Sequence, residues 1–128
     1  MLHPPQPIFN ATVSSTTTYY ALYHTPGQGN MSLQAQTVGT AAATSIKVYG
    51  SNIYSDYASG GATPSQASLA ASFAANEWVE IPTTGGTLPA GANWTDAWNL
   101  GKVPFRNVML VYVNASGTSV LKVFAYGT

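Results

Sequence analysis

Cysteine is absent from the 128 residues, so neither disulfides nor thiolate metal sites can form. Charged residues are also scarce, at 6% of the chain against roughly 25% in ordinary soluble domains. The two histidines and four acidic residues are scattered along the chain, and acid–base catalysis needs such groups positioned together. We therefore predict that the protein is not an enzyme, has no catalytic residues and holds no cofactor or metal ion.

The charges that are present cancel, and the formal net charge is zero. A neutral chain releases few phosphate counterions, which argues against nucleic-acid binding, and it gives no electrostatic reason to dock on an anionic membrane. The sequence shows no long apolar run that would span a bilayer and no secretory signal pattern at its amino terminus. We expect a protein that is made in the cytoplasm.

The clearest secondary-structure signal is the strict alternation of residues 31–38. Met31, Leu33 and Ala35 fall on one side and Ser32 and Gln34 on the other, which is typical of a strand with one wet face. Further strands are predicted over 16–23, 44–50, 78–81, 108–113 and 120–126. The run 108–113 is apolar throughout and predicts a central strand buried on both faces.

Two segments are compatible with helix. Residues 63–75 carry a proline after Thr63, which favours a short helix with Thr63 as its N-cap. An ordered loop inserted between strands is the alternative. Residues 93–101 place Trp94 and Trp98 four apart, as in one helical turn. Many strands with at most one short helix predict an all-β antiparallel sandwich with long loops.

The predicted core and surface follow from the alternation. We expect Gln34, Lys47 and Lys122 to face outward. The residues expected to be buried are Leu33, Ile46, Val48, Ile81, Leu110, Leu121 and Val123.

The first ten residues are rich in proline, which removes backbone donors and excludes a helix or a central strand. We predict an extended arm over 1–10 and one sandwich domain over 11–128. A frayed terminus is the plainer interpretation. If the arm docks on a partner, the contact residues are Leu2, His3, Pro4, Pro5, Pro7, Ile8 and Phe9.

Four aromatic residues fall in predicted loops, namely Tyr54, Tyr57, Trp94 and Trp98. Aromatic rings with a polar group suit a sugar-stacking platform. Tryptophans that close the ends of the sandwich are the competing interpretation. A carbohydrate-binding or receptor-binding module is therefore the alternative function.

Four segments of the carboxy-terminal two thirds form a familiar series. They read SIKVYGSN at 45–52, EWVEI at 77–81, VPFRNVMLVY at 103–112 and SGTSVLKV at 116–123. The series resembles small jelly-roll-like structural proteins of tailed bacteriophages. Similar strand signatures also occur in discoidin-like binding domains. The loop between Asn52 and Trp78 is longer than this pattern implies, so we expect individual function in that insertion and in the arm.

The phage resemblance implies a virion structural protein, and we expect a capsid decoration (cement) protein. Its partners would be the major capsid protein or other virion proteins, and its location the virion. Charged residues usually guard strand edges, and few occur here. We therefore also predict a homo-oligomer, with a trimer favoured because capsid shells offer threefold positions.

Overall fold

The structure, a computed structural model, describes residues 6–24, 29–54, 64–83 and 86–127. Eight strands and one helix occupy these ranges. In chain order they are β1 (Gln6–Ser14), β2 (Thr18–His24), β3 (Asn30–Gly39), β4 (Ala42–Ser51), α1 (Gln66–Ala74), β5 (Val79–Ile81), β6 (Trp94–Lys102), β7 (Asn107–Ser116) and β8 (Thr118–Gly127).

The strands pair as though one long hairpin had been folded over on itself. β1 pairs with β8, β2 with β7, β3 with β6 and β4 with β5, and every pair is antiparallel. Two further antiparallel pairs, β3 with β8 and β4 with β7, complete the two sheets. The first sheet has the order β1-β8-β3-β6 and the second the order β2-β7-β4-β5. This winding is that of an eight-stranded jelly roll, and the predicted all-β antiparallel sandwich is confirmed.

The main core lies between the two sheets. Leu33, Val48, Leu110, Leu121 and Val123 are buried there, as predicted. Ile46 and Ile81 are only half-buried, although both pack against this core. Gln34 and Lys47 are exposed as predicted, whereas Lys122 is half-buried.

A second apolar cluster lies on the outer surface of the second sheet, beneath α1. Leu69 of the helix is fully buried in this cluster, and the Phe73 ring meets the Tyr49 ring edge-on at 4.9 Å. This cover explains why β7 is buried on both faces, as its apolar run predicts. The described part of the predicted insertion therefore builds the fold by covering a sheet.

The predicted helix over 63–75 is confirmed, but its cap differs. Ser65 is the N-cap, and its Oγ accepts a hydrogen bond from the Ser68 backbone N–H at 3.1 Å. Thr63 lies outside the described residues.

The predicted helical turn over 93–101 is wrong, because these residues form β6. Trp94 lies opposite Thr37 and Trp98 opposite Leu33 on β3. Side chains four apart share a face in a strand as well as in a helix, so the tryptophan spacing did not discriminate between them.

The predicted boundary between arm and domain at residue 10 also changes. Residues 6–10 belong to β1, and Pro7 lies opposite Phe124 of β8. The register shifts between Pro7 and Phe9, at the start of an edge strand, where a residue without an N–H is tolerated. The rest of the predicted arm, residues 1–5, lies outside the described residues.

Candidate interaction face

The two sheets differ in what covers their outer surfaces. α1 packs on the second sheet, whereas no element in the described ranges packs on the outer surface of the first. We call this outer surface of β1, β8, β3 and β6 the open face. Its side chains alternate with the buried ones along each strand. They are Asn10, Thr12, Ser32, Gln34, Gln36, Val38, Thr95, Ala97, Asn99, Val120, Lys122, Phe124 and Tyr126.

The open face is almost free of charge. The fixed charges are Lys122 and, at the end of the face, the exposed Lys102, which lies opposite Asn30 of β3. Amides and hydroxyls supply most of the remainder. Val38 lies directly opposite Val120, and the two side chains are 49% and 39% exposed. The surface therefore offers neutral hydrogen-bonding groups and apolar side chains to whatever contacts it.

A groove of ≈ 270 Å³ lies at one end of the open face. Its lining residues are Asn30, Met31, Ser32, Asn99 and Tyr126. The β3–β6 register shifts between Met31 and Ser32, which locally disrupts the ladder at this end. The Asn99 Oδ1 accepts a hydrogen bond from the Gly101 N–H at 3.1 Å, so this oxygen is already engaged by the chain.

The four aromatic residues predicted to stack on a glycan do not form one platform. Trp98 is 6% exposed and packs in the main core, whereas Tyr54 is 3% exposed and packs in the cluster under α1. Trp94 is half-buried against the main core, and its Nε1 donates to Thr87 Oγ1 at 2.9 Å. Tyr57 lies outside the described residues. The burial of Trp98 and Tyr54 favours the competing interpretation, in which these rings help to close the fold.

The residues predicted to dock on a partner do not all lie on the surface of the described chain. Leu2, His3, Pro4 and Pro5 lie outside the described residues. Pro7 is exposed, but Ile8 and Phe9 are half-buried and pack against the main core of their own domain. These two apolar side chains thus contribute to the sandwich.

Titratable groups are dispersed through the described residues and make mostly structural contacts. The Asp96 carboxylate accepts hydrogen bonds from the N–H groups of Thr87 and Ala97 at 2.7 and 2.8 Å. Lys47 and Glu80 form an exposed ion pair at 3.7 Å. Within the described ranges no group of three or more His, Asp or Glu is placed to hold a metal ion.

Burial raises the pKa of two tyrosines above its ordinary value. For Tyr20 the cause is burial alone. For Tyr112 burial is the larger cause, and the neighbouring Tyr19 adds to it. Both phenols therefore favour the neutral, hydrogen-bonding form.

No helix in the described part of the chain has the length and apolar character needed to cross a bilayer. A scan against protein-family models gives no match, and a search of curated proteins gives none either.

The groove was not predicted from the sequence. The alternation of residues 31–38 correctly predicts that Ser32 faces outward. The same alternation along 120–126 predicts that Phe124 and Tyr126 lie on the outer side of the sheet. The outward position of Asn99 was not predicted, because residues 93–101 were assigned to a helical turn. The open face could thus have been found from strand periodicity once β6 was recognised.

Proposed function

We propose that this chain is a bacteriophage virion structural protein, a decoration (cement) protein that binds the outer capsid shell through its open face. The supporting observation is the combination of a jelly-roll winding with a broad sheet surface that carries little charge. Jelly rolls occur in viral capsid domains, but also in lectins and cupins. The fold alone does not specify a function, so the character of the open face carries the proposal.

The proposed role follows from mass action. A protein that binds only the assembled shell stabilises that shell by the free energy of binding. A neutral surface of amides, hydroxyls and small apolar side chains can be buried in such a contact without stranding unpaired charges. The partners would be the major capsid protein or other virion proteins, and the protein would act as a homo-oligomer, for which shell symmetry suggests a trimer.

Mass spectrometry of purified particles tests whether the protein is in the virion. Absence from the particles would end the proposal. Binding through the open face is tested by the double variant Gln34→Glu/Gln36→Glu, which places two carboxylates at its centre. We expect this variant to fold normally and to lose particle binding.

The matched control adds the same charge to the opposite side of the molecule. Ala67→Glu/Ala71→Glu places two carboxylates on exposed positions of α1. This control should bind particles as the wild type does. Equal binding by both double variants would contradict docking through the open face.

Binding of a neutral glycan is the second candidate function, and the groove is the observation that favours it. Among the described residues the lining combines the Tyr126 ring with amide and hydroxyl groups, and none of these lining residues is charged. Its volume of ≈ 270 Å³ lies just below the range for small-molecule sites, about 300–1,000 Å³. A glycan array with the Tyr126→Ala variant tests glycan binding in the groove. Trp98→Ala, a substitution in the main core away from the groove lining, is the control for loss of binding through loss of stability. Binding that survives Tyr126→Ala would exclude the groove.

A further inference from the structure

β1 lies at the edge of the first sheet, and one contact shows which way its backbone groups point. The Ser14 N–H donates to the Tyr19 Oη at 3.1 Å, and the same hydroxyl donates to the Ser14 carbonyl oxygen at 3.3 Å. In an antiparallel strand the N–H and C=O of one residue point to the same side. Both groups of Ser14 therefore point away from β8.

The same orientation extends to two more residues of β1. The register with β8 is regular from Phe9 to Ser14, so the backbone groups of Asn10 and Thr12 point to the same outer side as those of Ser14. In the described residues β1 pairs with no strand other than β8, and residues 10–12 are exposed. Four strong hydrogen-bonding groups are thus presented at this edge.

The other sheet edges have guards that β1 lacks. At β2, the Gln66 side chain bonds both backbone groups of Tyr20: its Oε1 accepts at 2.8 Å and its Nε2 donates at 2.7 Å. β6 carries Asp96 and Lys102, and the exposed Lys47–Glu80 pair lies on β4 and β5. The nine residues of β1 contain no charge, and Pro7 protects only the start of the strand.

We propose that β1 pairs with β1 of a second copy across a two-fold axis at Ala11. In this register Asn10 lies opposite Thr12 of the second copy and Thr12 opposite its Asn10, and the outward backbone groups of these residues form four hydrogen bonds. An isologous contact needs a self-complementary surface. An uncharged strand with small side chains at its centre satisfies this without like charges meeting.

The features that flank the centre limit the contact to a few residues. Tyr19 occupies the outward groups of Ser14, and Pro7 has no N–H to donate. Because β1 lies at the edge of the first sheet, the pairing joins the first sheets of the two copies into one continuous sheet of eight strands. A contact this short forms in a concentration-dependent way.

Because the chain contains no cysteine, a single introduced cysteine can form a disulfide only with its symmetry mate, and this tests the pairing directly. The backbone groups of Ala11 point towards β8, so Ala11 and its symmetry mate form a non-hydrogen-bonded pair with Cα atoms about 4.5 Å apart. That separation falls within the disulfide range of about 4.4–6.8 Å. Under mild oxidation Ala11→Cys should form a covalent dimer. Thr95→Cys, an exposed position on the edge strand β6, is the matched control and should stay monomeric.

A second variant removes the pairing without cysteine. Thr12→Pro deletes an N–H that makes no hydrogen bond within the described chain and should abolish the dimer seen by light scattering at high concentration. Circular dichroism checks that the variant is folded. Wild-type protein that scatters as a monomer or a trimer at every concentration would overturn the proposal, as would equal cross-linking at positions 11 and 95.

This pairing keeps the self-association of the proposed function but makes it a two-fold dimer in place of the trimer that shell symmetry suggests. It does not rest on virion location, so the two proposals fail separately. A dimer through β1 with no protein in particles would leave the pairing intact and remove the decoration role. Protein found in particles without cross-linking at Ala11→Cys would do the reverse.

Discussion

Replacing Asn114 with aspartate tests a buried polar side chain that makes four hydrogen bonds. Asn114 is fully buried. Its Nδ2 donates to the carbonyl oxygens of Ser15, Gly117 and Ser116 at 2.9, 3.3 and 3.4 Å, and its Oδ1 accepts from the Tyr112 hydroxyl at 3.0 Å. One amide thus ties the β1–β2 corner to the β7–β8 turn.

Asn114→Asp keeps the shape and reverses the chemistry. An acceptor oxygen replaces the donor that faces three carbonyl oxygens, and a buried charge without a partner is strongly destabilising. An unsatisfied buried group costs about 1–3 kcal/mol, and an uncompensated buried charge raises the total to about 3–5 kcal/mol. That is a large share of a typical folding free energy of about 5–15 kcal/mol.

The loss should depend on pH in a defined direction. Burial raises the pKa of the new carboxyl above its unfolded value of about 3.9. The protonated form can still donate one hydrogen bond, so the deficit is smallest below the unfolded pKa and grows as the pH rises through the folded pKa.

Urea unfolding followed by tryptophan fluorescence at pH 4 and pH 7 measures both effects. Asn99→Asp is the control, because this exposed side chain acts as an acceptor from Gly101 and an aspartate retains that role. The control should change stability by less than about 0.5 kcal/mol. An Asn114→Asp variant as stable as the wild type at pH 7 would refute the reasoning, and equal losses at both pH values would refute the electrostatic part of it.

Three further predictions concern the core, the β2 edge and a buried phenol. Leu110→Ala should cost about 2–5 kcal/mol in urea unfolding and Lys122→Ala less than about 0.5, because only Leu110 is fully buried; equal losses would mean that the outward and inward residues are misassigned. Gln66→Ala should cost about 1 kcal/mol by the same measurement, since it removes both hydrogen bonds to Tyr20, and an unchanged midpoint would show that water replaces them fully. Burial raises the pKa of Tyr112 above its ordinary 10.0, so its contribution is present below that pH and is lost as the pH rises through the folded pKa; Tyr112→Phe should therefore show a shallower alkaline loss of stability, and an identical slope would contradict this.

Most of the sandwich was predictable because one-sided burial leaves a period of two in the sequence. Residues 31–36 alternate strictly and lie within β3, and the apolar run 108–113 forms the middle of β7, where one face meets the main core and the other the cluster under α1. In both cases the local pattern and the tertiary burial agree. A strand can be predicted from sequence when its local pattern and its tertiary burial agree in this way.

The two missed strands have different physical causes. β1 begins among prolines, and the local preference against sheet is overcome because Pro7 lies at a bulge in an edge strand. β6 carries Trp94 and Trp98 at a spacing that satisfies helix and strand alike, and only the register with β3 decides between them. Such pairing is long-range information that a local window does not contain.

The candidate site was less predictable for a related reason. Aromatic residues in apparent loops suggested an exposed platform, yet Trp98 is buried because it lies opposite Leu33 on the inner side of the sheet. The groove depends on a bulge between Met31 and Ser32 and on the proximity of three strands that are far apart in sequence. No spacing rule applied to the sequence predicts that these three strands lie close together at the groove.

The scarcity of charge bears on both proposals. A soluble sheet protein normally keeps its strand edges apart with charged side chains, and β5 and β6 carry such charges. At the other two edges an amide guards Tyr20 of β2 and a phenol guards Ser14 of β1. These neutral guards leave the outward groups of Asn10 and Thr12 presented beside the open face. Pairing there would join two open faces into one surface on the same side of a continuous sheet. A doubled surface binds a repetitive lattice with a higher effective concentration at the second contact, which is the property that a shell-coating protein needs.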